Sequence, residues 1–205
     1  IDVGKSDCIL ITTDGRTIMI DTGCKETYDD VSGFLASLNI EKIDVLVISH
    51  FDKDHIGGAG KLLSEYQVSG VYIPDYDNDR KNLRSFEKAA NKTGVELNRV
   101  SESLSFSFDR VDFCVMPSGV SYSSAKGNDN DVSLLVSMEY LSDSYLFAGD
   151  IEEDGIRSFL SRNEKTFDIL KMPHHGKKEK NSKELLERVQ PKYAVITDDK
   201  ENPAD

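Results

Sequence analysis

The stretch of sequence that decides the fold class runs from residue 49 to residue 58 and reads SHFDKDHIGG. It follows the apolar segment 45–48, whose Val, Leu and Ile residues predict a buried strand. Four side chains that can bind a metal, two His and two Asp, therefore follow a strand within six residues. Imidazole and carboxylate together suit zinc, manganese or iron, so the stretch predicts a metal site at a strand end.

The spacing within this stretch predicts two groups of ligands. His50 and Asp52 share one side of an extended segment, because residues two apart in an extended chain point the same way. Asp54 and His55 then point elsewhere, and we expect the Gly57–Gly58 pair to let the chain bend sharply after them. The alternative interpretation is a polar loop in which His and Asp occur by chance.

Three other segments place polar side chains directly after apolar strands. The second histidine cluster, Pro173-His174-His175-Gly176, contains the remaining two of the four histidines. Asp21 follows the strand segment 17–20 and Asp150 follows the segment 145–148, each beside glycine. Taken singly, either aspartate is better explained as a turn residue or a helix cap. Taken with the two histidine clusters, they become candidate ligands or supports for ligands.

Short apolar runs alternate with helical patterns along the chain, which predicts a mixed α/β fold. The nine predicted strands are Cys8–Thr13, Thr17–Asp21, Val45–Ser49, Gly70–Ile73, Val111–Met116, Ser133–Tyr140, Ser144–Ala148, Phe167–Lys171 and Tyr193–Thr197. The five predicted helices are Tyr28–Leu38, Ala59–Tyr66, Asp79–Thr93, Glu152–Arg162 and Ser182–Val189. The polar stretch Pro117–Asp131 is predicted to be a long loop.

Six short motifs occur in a fixed order and together resemble the metallo-β-lactamase superfamily. They are Asp2-Val3-Gly4, Asp21-Thr22-Gly23, the 49–58 stretch, Asn130-Asp131-Val132-Ser133-Leu134, Ala148-Gly149-Asp150 and Pro173-His174-His175-Gly176. Within the superfamily the chain is most similar to the branch that contains the hydrolase domain of the competence DNA-uptake channel ComEC/Rec2. The resemblance covers residues 1 to about 197 and implies a four-layer αββα sandwich.

The resemblance also implies a site for two divalent metal ions, zinc or manganese, with iron as an alternative. It assigns six side chains as metal ligands: His50, Asp52, Asp54, His55, Asp150 and His175. His50 and Asp52 would bind one metal, Asp150 would bridge both, and Asp21 would steady the ligands from behind. Asp52 stands where histidine is commoner in the superfamily, and a carboxylate moves the preference towards manganese or iron without excluding zinc.

Three residues are candidates for catalytic roles. Asp54 could orient a metal-bound hydroxide, and His174 could face the substrate and protonate the leaving group. The reverse order, with His174 as the ligand and His175 facing substrate, stays open. Asn130 stands where many members have a ligating histidine, and it could be a weak ligand or a substrate contact. Lys171 and the 177–178 pair could bring positive charge to a phosphate, or the pair could be solvated loop charges.

The predicted function is a metal-dependent hydrolase, a phosphodiesterase or nuclease-like enzyme acting on small or single-stranded phosphodiesters. The net charge of −12 argues against tight binding of duplex DNA. The first alternative is an acyl hydrolase that acts on a lactone or thioester. The second alternative is a metal-stabilised binding module without catalysis.

The bulk composition bounds the organisation of the chain. With 205 residues, 38% of them hydrophobic and 30% charged, the chain suits one large globular domain, with two small domains as the alternative. The resemblance implies one metallo-β-lactamase-fold domain over residues 1–205, with loss of its C-terminal end as an open alternative. No apolar run reaches the roughly 20 residues needed to span a bilayer. The three cysteines favour a reducing compartment, so a cytoplasmic location is expected, with secretion as the alternative if a leader has been removed. The sequence predicts no particular oligomeric state.

Overall fold

The computed structural model describes residues 1–199 of the chain. It divides into two compact units, Ile1–Arg99 and a second unit that begins at Val100. Each unit contains one β-sheet and its own helices. Both units are therefore α/β, as the alternation of apolar runs and helical patterns predicts.

The first unit contains a five-stranded sheet in the order β1-β2-β3-β4-β5. Its strands are β1 (Ile9–Thr13), β2 (Arg16–Ile20), β3 (Lys42–Val47), β4 (Gln67–Pro74) and β5 (Leu97–Val100). Its helices are α1 (Tyr28–Ser37), α2 (Lys53–Ile56), α3 (Ala59–Glu65) and α4 (Lys81–Thr93). Strands β1 and β2 form a hairpin in which Thr13 pairs with Arg16. Asp14 and Gly15 form its two-residue turn, and both have positive φ, as a turn that matches strand twist requires.

Strands β2, β3 and β4 are parallel, so their carboxyl ends lie at one edge of the sheet. Asp21 follows β2 at this edge, and the 49–58 stretch follows β3. Parallel pairing thus brings together polar residues that are far apart in sequence. The core of this unit includes Ile18, Met19 and Leu46, which are fully buried.

The second unit contains a six-stranded sheet in the order β11-β10-β9-β8-β7-β6. Its strands are β6 (Leu104–Phe108), β7 (Val111–Pro117), β8 (Leu134–Tyr140), β9 (Asp143–Phe147), β10 (Ile169–Lys171) and β11 (Tyr193–Val195). Its helices are α5 (Glu153–Arg162) and α6 (Ser182–Val189). Strands β9, β10 and β11 are parallel, so Asp150 and the His174-His175 pair follow neighbouring strands at one sheet edge. A buried cluster that includes Leu146, Phe159 and Leu170 forms the core below them.

All nine predicted strands and all five predicted helices are present, with ends that shift by a few residues. Three elements were not predicted. Helix α2 is a single turn, too short to show a helical period, and β5 and β6 are short strands with polar residues between the apolar ones. The 117–131 stretch is a long loop, as predicted, and it ends in a 3₁₀ turn over Asn130–Val132. Among residues 1–199, none of the helices is of the length and hydropathy needed to cross a bilayer.

Candidate metal centre

The first histidine cluster begins as an extended segment after β3 and continues into α2. Helix α2 carries Asp54 and His55, and Asp52 is its N-terminal capping residue with extended backbone. The backbone N–H groups of His55 and Ile56 both donate to the carbonyl of Asp52. The change from extended chain to helix explains how one short segment can direct its side chains in more than one direction, as the spacing predicts.

Asp21 holds His55 and Ser49 holds His50, in each case through the ring nitrogen Nδ1. Asp21 Oδ2 lies 2.8 Å from His55 Nδ1 and accepts a 2.6 Å hydrogen bond from Ser49 Oγ. Ser49 Oγ lies 3.1 Å from His50 Nδ1, and the Ser49 backbone N–H donates to Asp21 Oδ1 at 2.7 Å. All four side chains are buried, and the two imidazole rings lie 4.1 Å apart.

This arrangement makes Nε2 the nitrogen that each ring would present to a metal. A ligating histidine in metalloproteins usually donates its other ring N–H to a carboxylate or another acceptor, which fixes its orientation. The role predicted for Asp21, behind the ligands, agrees with this geometry. Ser49 performs the same role for His50, and sequence reasoning did not single it out, because serine is common at strand ends.

Asp7 is a second buried carboxylate near His55 that sequence reasoning did not select. Its Oδ2 lies 3.9 Å from His55 Nδ1, and Asp7, Asp21 and His55 offer ligand atoms within 4.8 Å of one another. The Asp7 backbone N–H donates to Asp54 O at 3.1 Å, which ties the N-terminal segment to α2. The available signal was the position of Asp7 three residues after the first motif, Asp2-Val3-Gly4.

Asp52 lies apart from the buried histidines. Its carboxylate pairs with the Arg80 guanidinium, and its side chain is 31% exposed. Among residues 1–199, the sets of side chains spaced to share a metal do not include Asp52. The structure therefore brings together His50 and His55 but not Asp52, which was predicted to share a metal with His50.

The expectation that Gly57 and Gly58 permit a sharp bend is wrong. Gly57 has φ −59° and ψ −36°, and Gly58 has φ −82° and ψ −16°, which any residue can adopt. The glycines are needed because another segment lies against them. A Cβ on Gly57 would clash with Lys53 O and lie 2.7 Å from Lys25 N, and one on Gly58 would lie 2.6 Å from Thr22 O.

In the second unit, Asp150 lies between His175 and a buried lysine. His175 Nε2 is 3.2 Å from Asp150 Oδ2, and Lys171 Nζ is 3.6 Å from Asp150 Oδ1. Thr197 holds the other ring nitrogen of His175, with Thr197 O 3.1 Å from Nδ1. This geometry favours His175 over His174 as the residue that shares a metal with Asp150. Lys171 is 3% exposed, so it is a buried partner of Asp150 and does not project into solvent.

His174 is held by two glutamates that sequence reasoning missed. Its Nδ1 lies 3.1 Å from Glu152 Oε1 and 3.2 Å from Glu179 Oε1, and its side chain is 18% exposed. Both His174 and His175 adopt left-handed backbone conformations, with φ of 50° and 55°. Non-glycine residues rarely do so, and such strain concentrates at functional sites. Glu152 lies two residues after Asp150, and this position was a signal that could have identified it. Nothing in the sequence near Glu179 indicated its role.

Asn130 contacts Glu152. Its Nδ2 donates to Glu152 Oε1 at 3.0 Å, and Asn128 Nδ2 donates to Glu152 Oε2 at 2.9 Å. The hydrogen bond with His174, together with these amide donors and the His174 charge, lowers the pKa of Glu152 to about 2. Within the second unit, Asn130 thus supports the glutamate that holds His174.

The donor set of each unit suits a divalent metal. Buried imidazoles held at Nδ1, together with nearby carboxylates, are ligands that zinc, manganese and iron accept. Glu152, His174 and Glu179 also offer ligand atoms within 4.8 Å of one another. The chain therefore contains His and Asp clusters that could hold metal ions.

Comparison with known proteins agrees with this chemistry. The family model described as the metallo-beta-lactamase superfamily matches residues 1–197. ComE operon protein 3 of Bacillus subtilis is 28% identical over 98% of this chain and 28% of its own length. Recombination protein 2 of Haemophilus influenzae is 28% identical over 99% of this chain and 24% of its own length. The chain thus spans about a quarter of the length of these curated relatives, and the predicted similarity to the ComEC/Rec2 branch is confirmed.

Two further comparisons concern part of the chain and the fold. Endoribonuclease ysh1 of Schizosaccharomyces pombe is 28% identical over 54% of this chain and 15% of its own length. The crystal structure of MEM-A1, a subclass B3 metallo-beta-lactamase from a soil metagenome library, has a TM-score of 0.60 at 13% identity and covers 85% of this chain and 78% of its own. That likeness confirms the predicted fold class. Since the family model covers nearly the whole chain, the protein belongs to the metallo-β-lactamase superfamily of hydrolases.

Proposed function

We propose that the protein is a metal-dependent phosphodiesterase that acts on small or single-stranded phosphodiesters with two divalent metal ions. The observation that carries the proposal is the buried arrangement in which Asp21 and Ser49 hold His50 and His55 by Nδ1. Two adjacent buried imidazoles held in this way are of little use to packing alone, because each brings polar atoms that must be satisfied in the core.

The proposed ligands come from both histidine clusters. The first cluster supplies four of them and the second unit supplies two: His50, Asp52, Asp54, His55, Asp150 and His175. Bound metals would supply Lewis acidity and lower the pKa of a water molecule. For Asp52 to act as a ligand, its carboxylate must exchange Arg80 for the metal.

Two residues of this chain would take part in the reaction, one through the attacking water and one through the substrate. Asp54 would orient the attacking water by accepting its hydrogen bond. His174 would hydrogen-bond the scissile group or protonate the leaving group through Nε2, because Glu152 and Glu179 hold Nδ1. Asn130 would support His174 through Glu152 rather than touch the metal.

The choice of a phosphodiester rests on similarity and on charge. Relatives of the matched regions are named as an endoribonuclease and a recombination protein, which favours a nucleic-acid backbone as substrate. A carboxylate-rich ligand set also suits the hard metals that are commonly paired with phosphate oxygens. The net charge of −12 makes a duplex a poor ligand, so a small or single-stranded diester is favoured.

The test is hydrolysis of bis-p-nitrophenyl phosphate by metal-stripped protein, titrated separately with manganese, zinc and magnesium. We expect turnover that saturates near two metals per chain. Asp54→Asn should lower turnover at least about a hundredfold, because it removes a group that acts on the attacking water.

The matched control is Asp30→Asn, which neutralises an exposed aspartate of α1 and should leave turnover unchanged. Turnover of a thioester or lactone without turnover of the diester would replace the proposal with an acyl hydrolase. Confirmed metal binding without turnover of any of these substrates would indicate a binding module.

A further inference from the structure

A groove in the first unit lies between α3 and α4 and has a basic rim. It encloses about 520 Å³, and α2 and the segment around Lys25 close one end of it. Four lysines line it: Lys25, Lys53, Lys61 and Lys81. Such a concentration of positive charge is unusual in a chain with a net charge of −12.

Three of the four ammonium groups are available to a ligand. Lys61 pairs with Asp29 at 3.3 Å and lies 5.0 Å from the centre of the Tyr28 ring. Within residues 1–199, Lys25, Lys53 and Lys81 are exposed and take part in none of the ion pairs. Removing solvent from these three lysines therefore breaks no existing salt bridge.

The backbone around α2 places two of these lysines at the same end of the groove. The segment 22–25 lies against Gly57 so closely that Lys25 N is 2.7 Å from the position a Cβ would occupy. Lys53 is the first residue of α2, and its carbonyl also faces Gly57. Lys53 thus belongs to the same short helix as Asp54, the proposed catalytic carboxylate, and directly precedes it in the sequence.

Two acidic residues, Glu26 and Glu65, also line the groove, and each has a hydrogen-bond partner. Glu65 Oε2 accepts a 2.9 Å hydrogen bond from Tyr28 OH. Its own backbone N–H and the Cys24 side chain, aided by Lys53 and Lys25, hold the pKa of Glu26 below its ordinary value. The groove lining thus carries four ammonium groups against two carboxylates, which leaves an excess of positive charge.

We propose that this groove binds the backbone phosphates of a single-stranded polynucleotide next to the bond that is cleaved. The inference rests on the proposed phosphodiesterase function and assigns its substrate class. Lysine is a point-charge partner for phosphate, and contacts to phosphates position a nucleic acid without reading its sequence. Phe86 lines the groove but is buried, so bases would not stack on it, and binding would be independent of sequence.

The experiment compares two variants that lose the same charge. One is Lys25→Gln with Lys81→Gln, in the groove, and the other is Lys88→Gln with Lys92→Gln, exposed on α4 outside it. The ligand is a fluorescently labelled twelve-nucleotide oligothymidine. Its Kd is measured with chelator present, and its kcat and KM with metal, beside hydrolysis of bis-p-nitrophenyl phosphate.

We expect the groove variant to raise Kd and KM for the oligonucleotide about tenfold, with the salt dependence of log Kd reduced by about 1.4 for two lost phosphate contacts. The ratio of kcat/KM for the oligonucleotide to that for the small diester should fall by a similar factor. The α4 control variant should keep the wild-type Kd and KM.

Equal Kd values for the two variants would overturn the inference, even if the wild type hydrolyses both substrates. Stronger displacement by inorganic polyphosphate than by unlabelled oligothymidine, at equal phosphate concentration, would overturn the assignment to a polynucleotide. Absence of turnover on both substrates would contradict the proposed function alone, because the binding comparison needs no catalysis.

Discussion

The two histidines of the second cluster have different partners, although they are adjacent in sequence. His175 faces Asp150 through Nε2 and is held by Thr197 through Nδ1. His174 is held through Nδ1 by Glu152 and Glu179. The left-handed backbone at both positions turns the two rings apart, with centroids 6.3 Å from each other. This difference supports the proposed roles, in which His175 binds a metal and His174 acts on the substrate.

Replacing His174 tests this difference. If His174 protonates the leaving group, His174→Asn should slow hydrolysis of an alkyl phosphodiester about a hundredfold. It should slow hydrolysis of bis-p-nitrophenyl phosphate much less, because nitrophenolate departs without a proton. The measurement is kcat for both diesters at saturating metal. Equal losses on the two substrates would show that His174 acts in another way.

Lys171 is a buried cation, and Asp150 is its carboxylate partner. Asp150→Asn should destabilise the metal-free protein by about 3 kcal/mol, because a buried ammonium then faces a neutral amide. Adding Lys171→Met should recover much of that loss, since the buried charge is removed as well. Urea denaturation with chelator present measures both effects. A double variant that is no more stable than Asp150→Asn would show that the two residues are not coupled.

At the level of elements, the site depends on how closely the 22–25 segment packs on α2. Gly57 and Gly58 permit this contact through their lack of a side chain, while their backbone is ordinary right-handed helix. The contact fixes α2, which carries Asp54 and His55, against the segment that follows Asp21. Two backbone hydrogen bonds strengthen it, from Thr22 N to His55 O and from Gly58 N to Gly23 O.

Two glycine-to-alanine changes test this account with opposite expected signs. Gly57→Ala should destabilise the protein by about 2 kcal/mol or more, because its methyl group overlaps backbone atoms that cannot move independently. Gly33→Ala, in the exposed middle of α1 with open space around it, should stabilise by about 0.5–1 kcal/mol. Thermal or urea denaturation measures both. Comparable effects at the two positions would contradict the packing explanation.

For the molecule as a whole, metal binding should couple to stability. A bound cation would offset the negative charge of the buried carboxylates and accept the imidazole lone pairs. Because this set of ligands is assembled only in the folded chain, the cation stabilises the folded chain over the unfolded chain. Metal at about a hundredfold above Kd should stabilise by about 2.7 kcal/mol. For a chain of this size that corresponds to a rise in Tm of about 5–10 °C.

The measurement is a pair of thermal scans, one with excess manganese or zinc and one with chelator. Asp21→Asn should reduce the difference between the scans, because Asp21 holds His55 and, through Ser49, His50. A Tm that is the same with metal and with chelator would contradict a metal centre in this protein.

The sequence by itself determined the fold class, the order of all strands and helices except α2, β5 and β6, and the residues of both histidine clusters. This was feasible because those features are local: apolar periodicity reports an element, and the 49–58 stretch places four candidate ligands beside a strand. The supporting role of Asp21 was implied by the resemblance to the superfamily, and the parallel pairing of β2 with β3 brings Asp21 beside the 49–58 stretch. Helix α2 could not be predicted from hydrophobic periodicity, because a single helical turn is too short to show a period.

Only the tertiary structure decided which side chains are partners. The pairing of Asp52 with Arg80, of Lys171 with Asp150 and of Asn130 with Glu152 joins residues that lie 28, 21 and 22 positions apart. Nothing in the local spacing specifies such contacts, because they follow from strand order and helix packing. For the same reason the groove lysines, which come from the segment before α1 and from α2, α3 and α4, form a basic surface only once these elements have folded together within the first unit.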